Sequence, residues 1–345
     1  MKVALVTSIV PFIHGGARNI VEWLSATLRA HGHETEIIAI PFDESQEILL
    51  AQMAAFRMID LTDRADLVIC FRPPSYLVRH PRKVLWFIHH IRPYYDLWDT
   101  EYRGFADTAV SRARRDVIRM ADSRAFAEAS AIFTNSRLVS DRLHKFNGIR
   151  SEVLYPPLFE SEAFGSAGYG DEILALARLE HHKRQHLLVE ALSMTETAVR
   201  LRLLGMGSSP LYPARLRAQA AELGVEDRLT IDDRWIDEPN KREALAGALA
   251  CAYLPFDEDS YGYPSLEAAY SSKAILTTTD SGGVLEFVQD GLSGLVVEPD
   301  ARQLALAMDR LHAESGLAQT LGAGSRERID QLQISWDHVV EKILA

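Results

Sequence analysis

The sequence predicts an α/β protein made of two successive doubly wound parallel sheets facing a cleft, and three observations carry that prediction. Twelve short apolar runs alternate with stretches of helical periodicity. Most of the runs are continuously apolar, as in DLVICF and KVLWFI, instead of alternating with polar residues, which marks strands covered on both faces. The alternation breaks once, at YPPLFESEAFGSAGYGDE (155–172), where prolines and glycines interrupt it. A chain of 345 residues is long enough for two domains of ordinary size. The boundaries follow: 1–157, then 158–330.

The strands of the first half are KVALVTS, ETEIIAI, DLVICF, KVLWFI, AIFTNS and SEVLYP. Helical patterns fill most gaps between them; from Ile20 to Ala30, Ile20, Leu24, Thr27 and Leu28 share one face. The strands of the second half are EILALARL, VRLRLLGMG, RLTIDD, CAYLPF, AILTTT and GLVVEP. Helices are predicted between and after them at about 184–193, 212–223, 240–248, 265–272, 282–288 and 301–313. In such sheets ligands bind beyond the carboxyl ends of strands, so the loops that follow strands are the ones to search.

Composition narrows the function classes. No apolar stretch is long enough to cross a bilayer. The opening MKVALVTSIVPFI has a single lysine and lacks a small-residue cleavage site, which favours a buried strand over a signal peptide and a cytoplasmic location. Cys70 and Cys251 lie in apolar runs, with no disulfide or zinc spacing. The net charge of −11 argues against nucleic acid as a partner. Up to residue 157 there are 20 basic and 18 acidic residues, and beyond it 17 and 30. The relatively basic first half suits an anionic small molecule or an anionic membrane face.

Several loops carry residues with chemistry. Gly15 and Gly16 stand between a strand and a helix, where backbone N–H groups can approach an anion or simply make a turn. In ALARLEHHKRQHLL, Arg178 ends a strand and Lys183 stands near the next helix. Arginine grips phosphate oxygens with two parallel donors and lysine adds a compact charge, although solvated surface charge is the simpler reading of each alone. In FDEDSYGYPSLEAAY (256–270), Asp259 and Glu267 flank a glycine and a proline. Pro264 reads as the start of a helix, which places Glu267 in the first turn against the positive helix end. Capping leaves Asp259, Gly262 and the amides of Tyr261 to Tyr263 unexplained, and a carboxylate accepts sugar hydroxyls well. Gly282-Gly283 opens another helix, for sugar contacts or as plain turn chemistry. His89 and His90 end a strand near Arg92, with no third ligand at metal spacing. Arg112, Arg114, Arg115, Arg119 and Arg124 share a helix that reads as a solvated face or as a docking face for an anionic acceptor or membrane.

Taken in order, these residues resemble glycosyltransferase family 4, retaining nucleotide-sugar enzymes of GT-B fold with two Rossmann-like domains. The pattern comprises the early Gly15-Gly16 turn, Asn135-Ser136, the linker Tyr155-Pro156-Pro157, Arg178 with Lys183, and Gly205 and Gly207 in LLGMGS. It continues with Asp259 and Glu267, with Gly262 and Pro264 in register, and then Gly282, Gly283, Glu286, Asp290, Gly291, Gly294 and Pro299. ISWDHVVEKIL is similar to the family's terminal helix, and the resemblance implies that this last stretch, about 331–345, packs back on the first domain. The match is dense in the second half and loose between 43 and 130. It departs at Asp259, where the family has glutamate.

The resemblance implies a nucleoside diphosphate sugar donor on the second domain and a glycan or lipid-linked hydroxyl acceptor on the first. Arg178 and Lys183 would neutralise the departing diphosphate in the role a metal plays elsewhere, so no metal or other cofactor is expected. Glu267 would hold the ribose hydroxyls. Asp259, Ser260, Tyr261, Gly262 and Tyr263 would hold sugar and phosphates, and His89 would approach the transferred sugar. Arg234 and Trp235 would lie near the base. His90, Arg92, Arg112 and Arg115 are the acceptor-side candidates, with peripheral contact at an anionic inner membrane face as a corollary. The alternatives are another GT-B enzyme such as a sugar-nucleotide epimerase, or a two-lobed binding protein without catalysis. A dinucleotide oxidoreductase would want Gly-x-Gly-x-x-Gly after the first strand, and SIVPFIHGGARN does not supply it.

Overall fold

The computed structural model describes residues 1–12, 15–314 and 316–345; Ile13, His14 and Ser315 lie outside them, so His14 of the Gly15-Gly16 loop is not placed. The chain divides into unit 1, Met1–Pro157 with Ser335–Ala345, and unit 2, Leu158–Ile334.

In unit 1 the order is β1 (Lys2–Ile9), α1 (Gly16–Ala30), β2 (Glu34–Pro41), α2 (Leu49–Met58), β3 (Leu67–Cys70), β4 (Lys83–Phe87), α3 (Ala109–Ala127), β5 (Ala131–Thr134), α4 (Arg137–Asn147) and β6 (Glu152–Val153). Unit 2 runs β7 (Glu172–Leu176), α5 (Gln185–Met194), β8 (Arg200–Leu204), α6 (Leu211–Leu223), β9 (Leu229–Asp232), α7 (Glu238–Gly247), β10 (Ala250–Ala252), α8 (Tyr263–Tyr270), β11 (Ala274–Thr278), α9 (Val284–Phe287), β12 (Gly294–Val297), α10 (Ala301–Ala313) and α11 (Leu317–Gln331). The last helix, α12 (Trp336–Leu344), belongs to unit 1.

Each unit holds one six-stranded sheet, ordered β2-β1-β3-β4-β5-β6 and β12-β11-β10-β7-β8-β9, with parallel pairing throughout. Strands buried on both faces explain their unbroken apolar character: Leu67–Cys70 and Lys83–Phe87 are buried at every position. Even Lys83 is buried, with its Nζ donating to the carbonyls of Tyr76 and Val78 and pairing with Glu128. One face of the unit 1 sheet packs Met53, Phe56, Tyr76, Phe87 and Phe126, and the other packs Leu24, Leu28, Trp86 and the α12 residues Val339, Val340 and Ile343. The main core of unit 2 joins β7, β8 and β10 to α5, α6 and α10. Cys70 and Cys251 are buried free thiols.

The strand orders fix where ligands can sit. The winding reverses between β1 and β3 in unit 1 and between β7 and β10 in unit 2, and at such a point the two exit loops part and leave a crevice. The loops in question are those after β1 and β3, and those after β7 and β10.

Candidate functional site

Unit 2 gathers Arg178 and Lys183 from the loop after β7 with residues 256–262 from the loop after β10. Backbone hydrogen bonds tie the loop after β10 to the loop after β7, through Phe256 N–H to His182 O (2.9 Å), and to the loop after β11, through Asp257 N–H to Asp280 O (3.0 Å) and Gly283 N–H to Glu258 O (2.7 Å). Arg184 clamps the same junction. It adopts a left-handed φ of 56° and donates to Leu254 O, Pro255 O, Thr278 Oγ1 and both oxygens of Asp280 at 2.7–3.0 Å. It therefore serves structure, while its neighbour Lys183 faces the site residues.

Lys183 lies in a single 3-10 turn ahead of α5, its side chain 10% exposed. Its Nζ pairs with Glu258 and donates to Tyr253 Oη (3.1 Å), and that hydroxyl donates to Glu258 Oε2 (3.1 Å). Burial opposes charge on both groups, but their mutual attraction prevails: Lys183 is held above the ordinary lysine pKa and Glu258 below the ordinary carboxylate range. The ion-pair partner of Lys183 is thus Glu258. Asp259, the residue in register with the signature, follows it half-buried in the same loop. Arg178 is exposed at the exit of β7, and its carbonyl accepts from Gln185 (2.9 Å). Nearby His182 is pushed down to about 4 by burial and by the charge of Lys183, so it is neutral.

The glycines of this region are explained by close approach. Gly262 has φ +70°, and a Cβ there would overlap the Tyr253 ring. A Cβ on Gly282 would come within 2.5 Å of Glu258 O, and one on Gly283 within 2.7 Å of Ser260 Cα. The Gly282-Gly283 pair therefore lets the loop after β11 lie against the loop after β10. Gly205 (φ +146°) and Gly207 do the same for the exit of β8, which presses on the carbonyls of Ala177 and Leu179. Ser260 Oγ accepts from Gly262 N–H (3.4 Å). Tyr261 points its ring into the interior, 5.6 Å from Phe287. Tyr263 begins α8, with Pro264 behind it and Gly262 as N-cap.

Glu267 corrects an expectation. It is the fifth residue of α8, past the first turn, and its partner is the ammonium of Lys241 on α7, 2.6 Å from Oε1. The carboxylate is 5% exposed. Burial raises its pKa despite Lys241, while Glu267 keeps Lys241 above the ordinary lysine value. Lys241, which also donates to Glu238 (2.7 Å), is the residue that sequence reading missed. A charge on a polar, exposed-looking helix 26 positions away gives no local signal. A cavity of about 810 Å³ opens in unit 2, lined by Arg202, Asp232, Arg234, Trp235, Asn240 and Glu243 among others. Arg234 is exposed and forked onto Asp232 at 3.0 and 3.1 Å, and Trp235 is 68% exposed beside it.

In unit 1, Gly15 is the N-cap of α1, its carbonyl accepting from Arg18 and Asn19, and Gly16 is the first helical residue. His89 follows β4. Its Nδ1 lies 2.6 Å from the carbonyl of His90, which can only accept, so Nδ1 carries the proton and Nε2 keeps its lone pair. Burial and the charge of Arg72 push its pKa down to about 4. His90, expected on the acceptor side, is instead a core residue. It is 1% exposed, stacked 4.0 Å from Tyr95, and bonded through Nε2 to Asn147 Oδ1 at 2.9 Å. Beneath it Tyr95 donates to the fully buried Asp122 (2.7 Å), whose carboxyl burial raises to about 7.

The other acceptor-side candidates are committed locally. Arg92 pairs with Asp96 (2.8 Å), and Arg112 forks onto Asp107 at 2.7 and 3.2 Å. Arg115 donates to Tyr94 O (3.0 Å) and lies 4.3 Å over the Trp98 ring. Among the described residues no group of three His, Cys, Asp or Glu side chains could hold a metal ion, and no helix is long and apolar enough to cross a membrane.

Residues 159–328, nearly all of unit 2, match the family Glycosyl transferases group 1. Among curated proteins, alpha-maltose-1-phosphate synthase of Mycobacterium tuberculosis (strain CDC 1551 / Oshkosh) is 28% identical over 219 residues, 57% of this chain and 54% of that protein. The chain thus spans about half the length of that relative. Among solved structures, sucrose-phosphate synthase from Thermosynechococcus elongatus superposes with a TM-score of 0.76 at 18% identity, covering 99% of this chain and 97% of that one. The Anabaena protein HepE in complex with UDP and glucose gives 0.70 at 16% identity, covering 99% and 98%. Unit 2 thus matches the glycosyl transferases group 1 family, in a chain with the two-sheet α/β fold of solved glycosyltransferases.

Proposed function

We propose that this protein moves a sugar from a nucleoside diphosphate sugar to a hydroxyl of a glycan or lipid-linked acceptor, with retention of anomeric configuration and without a metal ion. The observation that most supports this reading is the Lys183–Glu258–Tyr253 cluster at the switch point of unit 2, with Arg178 on the same loop. Sugar transfer passes through an oxocarbenium-like state while negative charge builds on the leaving diphosphate. Fixed cations aimed at that charge act mainly in the transition state. Glu258 and Tyr253 hold the Lys183 ammonium in place, and Arg178 supplies the second cation.

In this reading Glu267, steadied by Lys241, accepts the ribose hydroxyls. Asp259 and the amides of 260–263 take sugar and phosphate, and Arg234 and Trp235 flank the base. His89, neutral and with a free Nε2, accepts a hydrogen bond from a sugar hydroxyl and does not supply a proton. The protein works in the cytoplasm, in peripheral contact with the inner membrane face where its acceptor is lipid-linked.

The test is a thermal-shift screen against UDP-, GDP- and dTDP-sugars, beginning with UDP-glucose because the HepE crystals hold UDP and glucose. A donor at 100 times its Kd should stabilise the protein by about 2.7 kcal/mol. Transfer of labelled sugar with retained configuration, undiminished by EDTA, is the expected result. Epimerised or merely hydrolysed donor, or activity abolished by EDTA and restored by Mg²⁺ or Mn²⁺, would overturn it.

A further inference from the structure

Among the described residues, four arginines carry a buried Nε without a hydrogen-bond partner: Arg72, Arg119, Arg202 and Arg242. Three have their charge answered otherwise. Arg119 lies over the rings of Tyr95 and Phe146 (5.2 and 5.3 Å), Arg202 faces Glu172 (3.9 Å), and Arg242 pairs with Glu160 (3.2 Å). Arg72 has no such partner among the described residues: the acidic group whose charge it feels, Glu44, makes no hydrogen bond to it. Its place is fixed by its surroundings. It lies just past Phe71 at the exit of β3, its carbonyl accepts from Ser75 N–H (2.9 Å), and the next residue, Pro73, is pinned through its carbonyl to Ser8 Oγ on β1 (2.6 Å).

The position is as telling as the missing partner. Arg72 is on the exit loop of β3, at the reversal of winding in unit 1. It is near enough to His89 for its charge to depress that ring's pKa. The Nε edge of this half-buried guanidinium is withdrawn from water with nothing to bind, which weakens the empty fold. Its planar fork matches the two oxygens of an oxyanion.

We propose that Arg72 is the seat of a phosphoryl group on the acceptor, so that unit 1 takes a phosphorylated acceptor with its anion beside His89. This rests on the glycosyltransferase reading for the word acceptor, but the anion site itself stands apart from it. Four arginines of α3 are excluded as the main seat because Arg112, Arg114, Arg115 and Arg119 already have local partners in Asp107, Gln46, Tyr94 O and the Tyr95 and Phe146 rings, and the fifth, Arg124, is exposed in the last turn of the helix.

The experiment compares wild type, Arg72→Met and Arg72→Lys in the full chain, with inorganic phosphate titrated against chloride at matched ionic strength. UDP binding is measured in parallel as a reading of unit 2. Expected are a melting temperature without phosphate in Arg72→Met equal to or above wild type, and phosphate affinity at least tenfold weaker, with Arg72→Lys in between. UDP affinity should be unchanged across the three. Phosphate binding that is the same in wild type and Arg72→Met, or a large drop in the melting temperature of Arg72→Met without phosphate, would overturn the proposal. Glycerol 3-phosphate and vesicles containing phosphatidic acid then separate a soluble from a lipid-borne phosphate. An Arg72-dependent response to either one supports the site, and no Arg72 dependence with either one overturns it. Loss of UDP binding alone would count against the donor reading and leave the anion site standing.

Discussion

Lys183 and Glu258 share a buried ion pair, and removing either side strands a charge. Lys183→Ala should therefore do two things: lower kcat by about 10²–10³, the effect of losing one preorganised stabiliser, and destabilise unit 2 by up to about 3 kcal/mol. The double variant Lys183→Met/Glu258→Gln separates them. Chemical denaturation should show stability recovered, while turnover stays low; recovered turnover would remove Lys183 from the chemistry. A pH prediction belongs to unit 1. His89 and His90, both lowered to about 4, make unit 1 lose stability as pH falls from about 6.5 towards 4. Asp122, raised to about 7, acts in the opposite sense: its favourable protonated form is lost as pH rises from about 4 through 7. The opposing slopes partly cancel, at about 1.4 kcal/mol per pH unit for each group at most. Asp122→Asn should expose the histidine slope, so denaturant midpoints measured from pH 4.5 to 8 should rise more steeply with pH than in wild type. Residue identity was legible where a residue's neighbours in sequence are also its partners in space, as for Gly262 and Pro264. It was not for Glu258, Lys241 or Arg72. The partner of Lys183 is 75 positions away and that of Glu267 is 26, and a bare arginine in an exit loop looks like surface charge until its lack of a partner is seen.

The unit of function at the next scale is a pair of abutting loops. Gly283 has φ −61°, ordinary for any residue, so Gly283→Ala brings no backbone strain, only a methyl 2.7 Å from Ser260 Cα. Forcing that contact apart should cost about 1–3 kcal/mol and shift residues 258–260, raising KM for the donor more than it lowers kcat. An unchanged KM would show that the two loops act independently. All twelve strands were readable, because burial on both faces imposes one pattern on the central strands, such as β3, β4 and β11, and Gly-Pro punctuation sets off the more exposed edge strands β2 and β9. Helix ends were read to within a few residues. The helix α11 was missed: LAQTLGAGSRERIDQ carries two glycines that argue against a helix locally. One of them, Gly322, is explained only by tertiary contact, since a Cβ there would overlap the carbonyl of Ser272. The position of Glu267 was misread for a related reason: Pro264 marks the helix start correctly, but which side of α8 is answered by a charge depends on α7.

At the scale of the molecule, α12 completes unit 1. Val339, Val340 and Ile343 are each at most 7% exposed, and Trp336 meets Trp86 edge-on at 6.3 Å. Each buried aliphatic side chain contributes about 1.5–3 kcal/mol. Ending the chain at Ile334 should therefore unfold or severely weaken unit 1 while unit 2 keeps its own transition. Calorimetry should show the lower-stability transition lost or moved down by more than 10 °C, and UDP binding retained; a single transition falling as a whole would contradict independent cores. The same feature orders events during synthesis. Unit 1 lacks a piece of its core until every residue of unit 2 has been made, an interval of roughly 10–35 s at ordinary translation rates. Throughout it, the apolar groove formed by Leu24, Leu28 and Trp86 stands open, which makes the nascent first domain a client for chaperones that bind apolar surface, and gives unit 2 the chance to fold first.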